Sequence, residues 1–96
     1  MITKKYSKDG TKCDVTFELP AEINSSQAFV CGNFSDWTPE EMKRLKNGGF
    51  SIRMKLKAKQ NYQFRYRLDS ERWENDPAAD ALIPNAFGSD DCVLQL

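Results

Sequence analysis

Apolar and polar residues alternate with a period of two along much of this chain. Lys12-Cys13-Asp14-Val15-Thr16-Phe17-Glu18-Leu19 places Cys13, Val15, Phe17 and Leu19 on one face. Phe50-Ser51-Ile52-Arg53-Met54-Lys55-Leu56-Lys57 and Tyr62-Gln63-Phe64-Arg65-Tyr66-Arg67-Leu68-Asp69 repeat the pattern. Successive side chains of a strand point to opposite faces, so each segment predicts a strand with one buried and one wet face. Phe17, Phe50, Ile52, Met54, Tyr62, Phe64 and Tyr66 are the expected core. Ala28-Phe29-Val30-Cys31-Gly32 is more apolar and reads as an inner strand. Cys92 to Leu96 reads as a closing strand, and Ile2 to Ser7 as an edge strand whose lysines discourage edge-to-edge pairing.

The breaks between these segments carry turn chemistry. Asp9-Gly10 and Asn47-Gly48-Gly49 are hairpin signals, and Asp69-Ser70-Glu71 predicts a tight turn before Trp73. Pro20 ends one strand, while Pro77 and Pro84 bracket an aperiodic loop over residues 76–90. Thr38-Pro39-Glu40-Glu41 has an N-cap, a proline at the first helical position and a capping-box glutamate, which predicts a helical turn near Pro39 to Lys43. The turn at Asn47 predicts a strand from Met42 to Lys46 after it, paired with Phe50 to Leu56. About seven short strands at spacings of roughly 8–12 residues give an all-β sandwich or small barrel.

Composition narrows the functional classes. The 96 residues make one domain, 1–96, without internal repeat or linker. Fourteen cationic and fourteen anionic side chains balance, so no net basic field favours nucleic acid, and no basic amphipathic segment favours a membrane. The start has no long apolar stretch after its lysines, which argues against a signal peptide. Cys13, Cys31 and Cys92 are an odd number without CxxC spacing, each beside apolar strand residues. They are expected as free buried thiols in a reducing cytoplasm. Histidine is absent, which removes the commonest general base and the commonest metal ligand. The expectation is a non-enzymatic protein without cofactor. Asp76, Asp80, Asp90 and Asp91 match no calcium-loop template, so no metal is expected, and Asp76 before Pro77 reads as a turn former.

Two tryptophans then become the main candidate chemistry. Trp37 lies in Asn33-Phe34-Ser35-Asp36-Trp37-Thr38-Pro39, and Trp73 in Asp69-Ser70-Glu71-Arg72-Trp73-Glu74-Asn75-Asp76-Pro77. Neither falls in an alternating apolar run. Leaving so large an apolar ring wet is costly, so two such rings in polar segments point to a flat platform for the C–H face of a sugar. The competing reading packs each ring on a neighbouring strand. Arg65, on the polar face beside Arg67, would by itself be a solvated charge.

The ordered motifs resemble a known family. Val30-Cys31-Gly32-Asn33-Phe34-Ser35-Asp36-Trp37, then Met42-Lys43-Arg44-Leu45 and Gly49-Phe50-Ser51-Ile52, are similar to an early-set immunoglobulin-like domain. The closest resemblance is to the glycogen-binding module of the AMP-activated protein kinase β subunit and of isoamylases and glycogen-branching enzymes. Tyr62 to Asp69, Trp73 and Asn75-Asp76-Pro77 continue the pattern, and the resemblance covers about Lys12 to Leu96. It implies an early-set β-sandwich that binds α-1,4-linked glucan, such as glycogen, starch-like chains or maltooligosaccharides. The family's stacking tryptophans fall on Trp37 and Trp73 and its sugar-contacting lysine on Arg65. Its loop leucine, threonine and asparagine fall on Phe87, Ser89 and Asp91. Arg65 keeps the charge and offers a planar fork, Phe87 enlarges the apolar contact, and Asp91 loses the amide donors. The implied partners are an α-glucan and, as a second candidate, a glycogen-metabolising enzyme.

Two alternatives stand beside this expectation. One is a protein-interaction domain that keeps the fold, lacks a working sugar site and docks on a glycan-metabolising enzyme. The other is single-stranded RNA binding through Trp37, Trp73 and Arg65, which the zero net charge disfavours.

Overall fold

The computed structural model describes residues 2–23, 25–69, 72–86 and 88–96. Strands β1 (Ile2–Tyr6), β2 (Lys12–Leu19), β6 (Phe50–Lys57) and β5 (Lys43–Arg44) form one antiparallel sheet in the order β1-β2-β6-β5. The second sheet runs β4-β3-β7-β10-β9, from β4 (Glu40–Glu41), β3 (Ala28–Gly32), β7 (Asn61–Leu68), β10 (Asp90–Gln95) and β9 (Ala81–Pro84). A short β8 (Arg72–Glu74) also pairs with β7. The molecule is therefore an all-β sandwich of two antiparallel sheets.

The period-two pattern explains its core. Cys13, Val15, Phe17 and Leu19 of β2 meet Phe64, Tyr66 and Leu68 of β7 and Cys92 and Leu94 of β10. Phe17 is fully buried, with its ring centroid 5.2 Å from Phe64 and 6.4 Å from Tyr66 in edge-on contacts. Ile52, Met54 and Tyr62 are only partly buried but pack against this cluster. Also buried, the Tyr66 hydroxyl donates to Asp76 Oδ2 at 2.6 Å. Burial, then this contact with Asp76, pushes the phenol far above its ordinary pKa, so it remains a donor. Asp76 also accepts the Ala78 N–H on Oδ1 and the Ala79 N–H on its carbonyl, which is the turn-forming role its place before Pro77 predicts.

All three cysteines are free and buried. Burial raises the thiol pKa of Cys31 and of Cys92, and Cys92 Sγ also accepts the Asp76 N–H at 3.2 Å. Cys13 and Cys92 face the core between the sheets. Cys31 pairs in register with Arg65, which places it on the outer face of the second sheet.

Several elements differ from expectation. The described residues form ten strands rather than about seven, with β4, β8 and β9 added. The helical turn near Pro39 to Lys43 does not form. Residues Glu40–Glu41 pair with β3 in one sheet and Lys43–Arg44 with β6 in the other. Met42, 3% exposed, enters the core between them and donates its N–H to Ala28 O at 2.8 Å. Two sheet edges and one buried side chain thus outweigh a local capping signal worth about 1 kcal/mol. The aperiodic stretch contains β9, invisible to patterning because all four of its residues are exposed. Trp73 lies on β8, a strand the pattern does not predict, and Ser70 and Glu71 of the turn expected before it lie outside the described residues.

The Asp9-Gly10 turn supplies a pH prediction. Asp9 Oδ1 accepts from Ser7 Oγ at 2.7 Å, Thr11 N at 3.0 Å and Thr11 Oγ1 at 2.8 Å. These bonds, with Ser7 contributing most, lower its pKa from 3.8 to about 2. A depressed carboxylate stabilises the fold above its unfolded pKa and loses that contribution as pH falls through the folded value. The melting-temperature gap between the parent and Asp9→Ala should therefore be largest above about pH 4 and narrow steadily as the pH falls toward and through about 2. Calorimetry across that range checks it, and a gap that widens on acidification contradicts it.

Candidate functional site

The outer face of the second sheet is set by the residues that alternate with its core side chains. On β7, Phe64, Tyr66 and Leu68 point inward, which leaves Arg65 and Arg67 outside. Trp73 on β8 lies opposite Arg67 in register and shares that face. Asp91 lies on β10, opposite Ile83 of β9. Trp37 arrives from the loop after β3.

That loop folds back tightly. A Cβ on Gly32 would sit 2.5 Å from the Phe34 ring and 2.7 Å from Gln63 O, so the close approach requires glycine. The Trp37 N–H donates to Gly32 O at 2.8 Å, and the Thr38 N–H to Ser35 O at 2.9 Å. Phe34 anchors the loop from below through ring contacts with Phe17 and Tyr62. Asp36 and Trp37 have φ of 51° and 60°, in the left-handed region. Such a conformation costs a non-glycine residue roughly 1–2 kcal/mol. Strain of this kind is retained where the surrounding structure fixes it, often at functional sites.

Trp37, Arg65, Trp73, Asn85, Ser89 and Asp91 line one open depression of about 670 Å3. Five of the six residues expected from the sequence thus converge, and the sixth, Phe87, lies outside the described residues. Trp37 is 40% exposed and Trp73 44%, so each indole is partly held and partly presented to solvent. The Arg65 guanidinium lies 5.6 Å from the Trp73 ring centroid. Its Nε donates to Asn75 Oδ1 at 3.2 Å and its NH1 to Ser89 Oγ at 3.1 Å. Asn85 Nδ2 donates to Ser89 Oγ and to Asp91 Oδ1, each at 3.1 Å. The polar side of the depression is therefore a connected network that fixes Arg65 between the β8 and β9–β10 segments.

Asn75 and Asn85 carry this network and were not among the residues expected from the sequence. Asn85 opens the turn before β10, where its N–H donates to Ser89 O at 2.8 Å and Gly88 has a φ of 80°. An Asn four residues before Ser89, with Gly88 between, is the local signal for that turn. Arg67, equally polar by pattern, instead stacks on Phe29 at 4.7 Å from the ring centroid.

The arrangement offers two partly exposed aromatic faces, a fixed guanidinium, an amide, a hydroxyl and a carboxylate. It can stack flat C–H-rich surfaces and exchange hydrogen bonds with hydroxyls around them. Among the described residues, no three His, Cys, Asp or Glu side chains gather to hold a metal ion, and no helix is long and apolar enough to cross a membrane. Neither models of known protein families nor curated proteins match the chain.

The strained loop allows a direct test of what holds Trp37. Trp37→Gly and Trp37→Ala delete the same indole, but only glycine relieves the left-handed backbone. The glycine variant should melt several degrees above the alanine variant, since about 1 kcal/mol corresponds to roughly 4–8 °C in a domain of this size. Scanning calorimetry of the pair reads this difference. An alanine variant that melts as high as the glycine variant would show that the backbone is not strained there.

Proposed function

We propose that this protein is a non-catalytic module that binds α-1,4-linked glucan across the Trp37–Trp73 depression. One observation carries the reading. Two partly exposed tryptophans, distant in sequence, share one depression with an arginine fixed between Asn75 and Ser89. Indoles at 40% and 44% exposure are disfavoured on a surface without a ligand, and a polar network beside them suits a polyhydroxylated one. The resemblance to glycogen-binding modules supports the same reading, with Trp37 and Trp73 stacking on glucose rings and Arg65 donating to their hydroxyls. Asp91 accepts from sugar hydroxyls, Ser89, whose oxygen already accepts from Arg65 and Asn85, offers them its O–H, and Phe87 adds an apolar contact by the same resemblance. Asn85, which has no counterpart in that expectation, orients Ser89 and Asp91.

Native gel electrophoresis with and without embedded glycogen tests the proposal. Retardation confined to the glycogen gel, with no reducing ends released from amylose, is the expected result. Equal mobility in both gels would remove glucan as the ligand. Release of reducing ends that stops on substitution of one carboxylate would make the protein an enzyme instead.

A further inference from the structure

The two faces of the sandwich differ in charge although the chain as a whole is neutral. On the outer face of the first sheet, cross-strand register aligns Lys5 with Asp14 and Lys55, Lys12 with Lys57, Thr16 with Arg53, and Ser51 with Glu18 and Lys43. Directly paired residues share a face, so six exposed cations, Lys5, Lys12, Lys43, Arg53, Lys55 and Lys57, stand there against two carboxylates, Asp14 and Glu18. None of the six is in an ion pair among the described residues. Lys12 and Lys57 lie directly opposite each other, an arrangement that costs stability because like charges face across the strands. The glucan site proposed above lies on the other sheet, so this face has no part in it.

We propose that the outer face of the first sheet is a docking surface for the acidic surface of a partner protein. Three features select that occupant. The first is the excess of four positive charges on a face fixed by eight-residue strands, which favours a complementary negative surface and speeds encounter with it. The second is the lack of apolar and aromatic side chains among the paired outer residues of β2 and β6. A membrane-bound surface inserts such side chains and a single-stranded nucleic acid stacks on them. The third is the placement of Asp14 between Lys5 and Lys55 within the cationic field. A uniformly anionic polymer is repelled at this point, whereas a protein surface can place a lysine or arginine opposite it. The protein would then hold glucan on one sheet and its partner on the other.

The test uses a fluorescent peptide of about 20 residues, long enough to cross the face, rich in glutamate with interspersed lysine. Anisotropy titrations compare it with a short DNA duplex and with phosphatidylserine vesicles. The parent should bind the peptide at about 20 mM salt and lose about tenfold or more in affinity at about 200 mM. The triple variant Arg53→Glu, Lys55→Glu, Lys57→Glu should lose at least about tenfold at the lower salt and keep the parent's near-ultraviolet circular dichroism. Lys57→Glu puts a carboxylate opposite Lys12, which favours the fold, while Lys55→Glu puts one opposite Asp14, which opposes it, so folding of the variant is checked directly by that spectrum. If it unfolds, Lys55→Gln with Lys57→Gln should show the same direction of loss. Absence of peptide binding, or binding unchanged in folded variants, overturns the proposal. So does tighter binding of the duplex or the vesicles at equal salt, which assigns the face to a polyphosphate or a membrane. None of these readouts uses glucan, so their failure is separate from failure of the sugar site.

Discussion

Replacing Trp73 with alanine is expected to weaken maltoheptaose binding about thirtyfold or more while moving the melting temperature by only a few degrees. The binding loss follows from the usual cost of truncating a central aromatic contact, about 2 kcal/mol or more, which is roughly thirtyfold in affinity. The small stability effect follows from position. Trp73 is 44% exposed on a three-residue strand, and it lies outside the buried cluster between the sheets. Substitutions at such places stay within about 0.5 kcal/mol. A tryptophan in the core would instead cost about 3–5 kcal/mol. Calorimetry and titration on the same sample separate the two cases. A variant that is stable and binds as well as the parent removes Trp73 from the site, and one that melts far below the parent makes it a core residue.

The largest stability effect is expected at Phe17. Its ring is fully buried and meets Phe64, Tyr66 and Phe34 at centroid distances of 5.2, 6.4 and 6.0 Å. Phe17→Ala removes these contacts and leaves a cavity, at a cost of about 3–5 kcal/mol. Domains hold only about 5–15 kcal/mol in total, so the melting temperature should fall on the order of 20 °C or more. Phe34 also anchors the loop that carries Trp37, so the same substitution should raise hydrogen exchange over residues 33–38 beyond that of the opposite end of the sandwich. A melting temperature within about 5 °C of the parent would show that Phe17 does not join the sheets as described.

These two residues also mark what the sequence made legible. Phe17 could be placed because β2 alternates without a break, and the bounds of β2, β3 and β6 follow directly from hydrophobic pattern and turn residues. β9 could not, because a strand exposed on both sides carries no alternation. The capping signal at Thr38 was sound locally but lost to the pairing of Glu40–Glu41 and Lys43–Arg44 with two different sheets. Within the site, the tryptophans stood out through their polar surroundings. Arg65 did not, since its alternation is the same as that of Arg67, and only tertiary structure gives one the Asn75–Ser89 clamp and the other the Phe29 ring. Asn75 joins the network through a contact ten residues away in sequence, which no local pattern encodes, whereas Asn85 carried a signal for its turn but none for its bond to Asp91 in the site.

The most direct test of the glucan platform is a titration with a maltooligosaccharide series from maltose to maltoheptaose, followed by tryptophan emission. Both tryptophans of the chain line the depression, so emission reports on the site itself. The account predicts a saturable change whose affinity rises with chain length as both rings become engaged, and which is reduced in Trp73→Ala. Emission unchanged by every member of the series to about 10 mM, a ceiling that reaches binding as weak as about −3 kcal/mol, would contradict it.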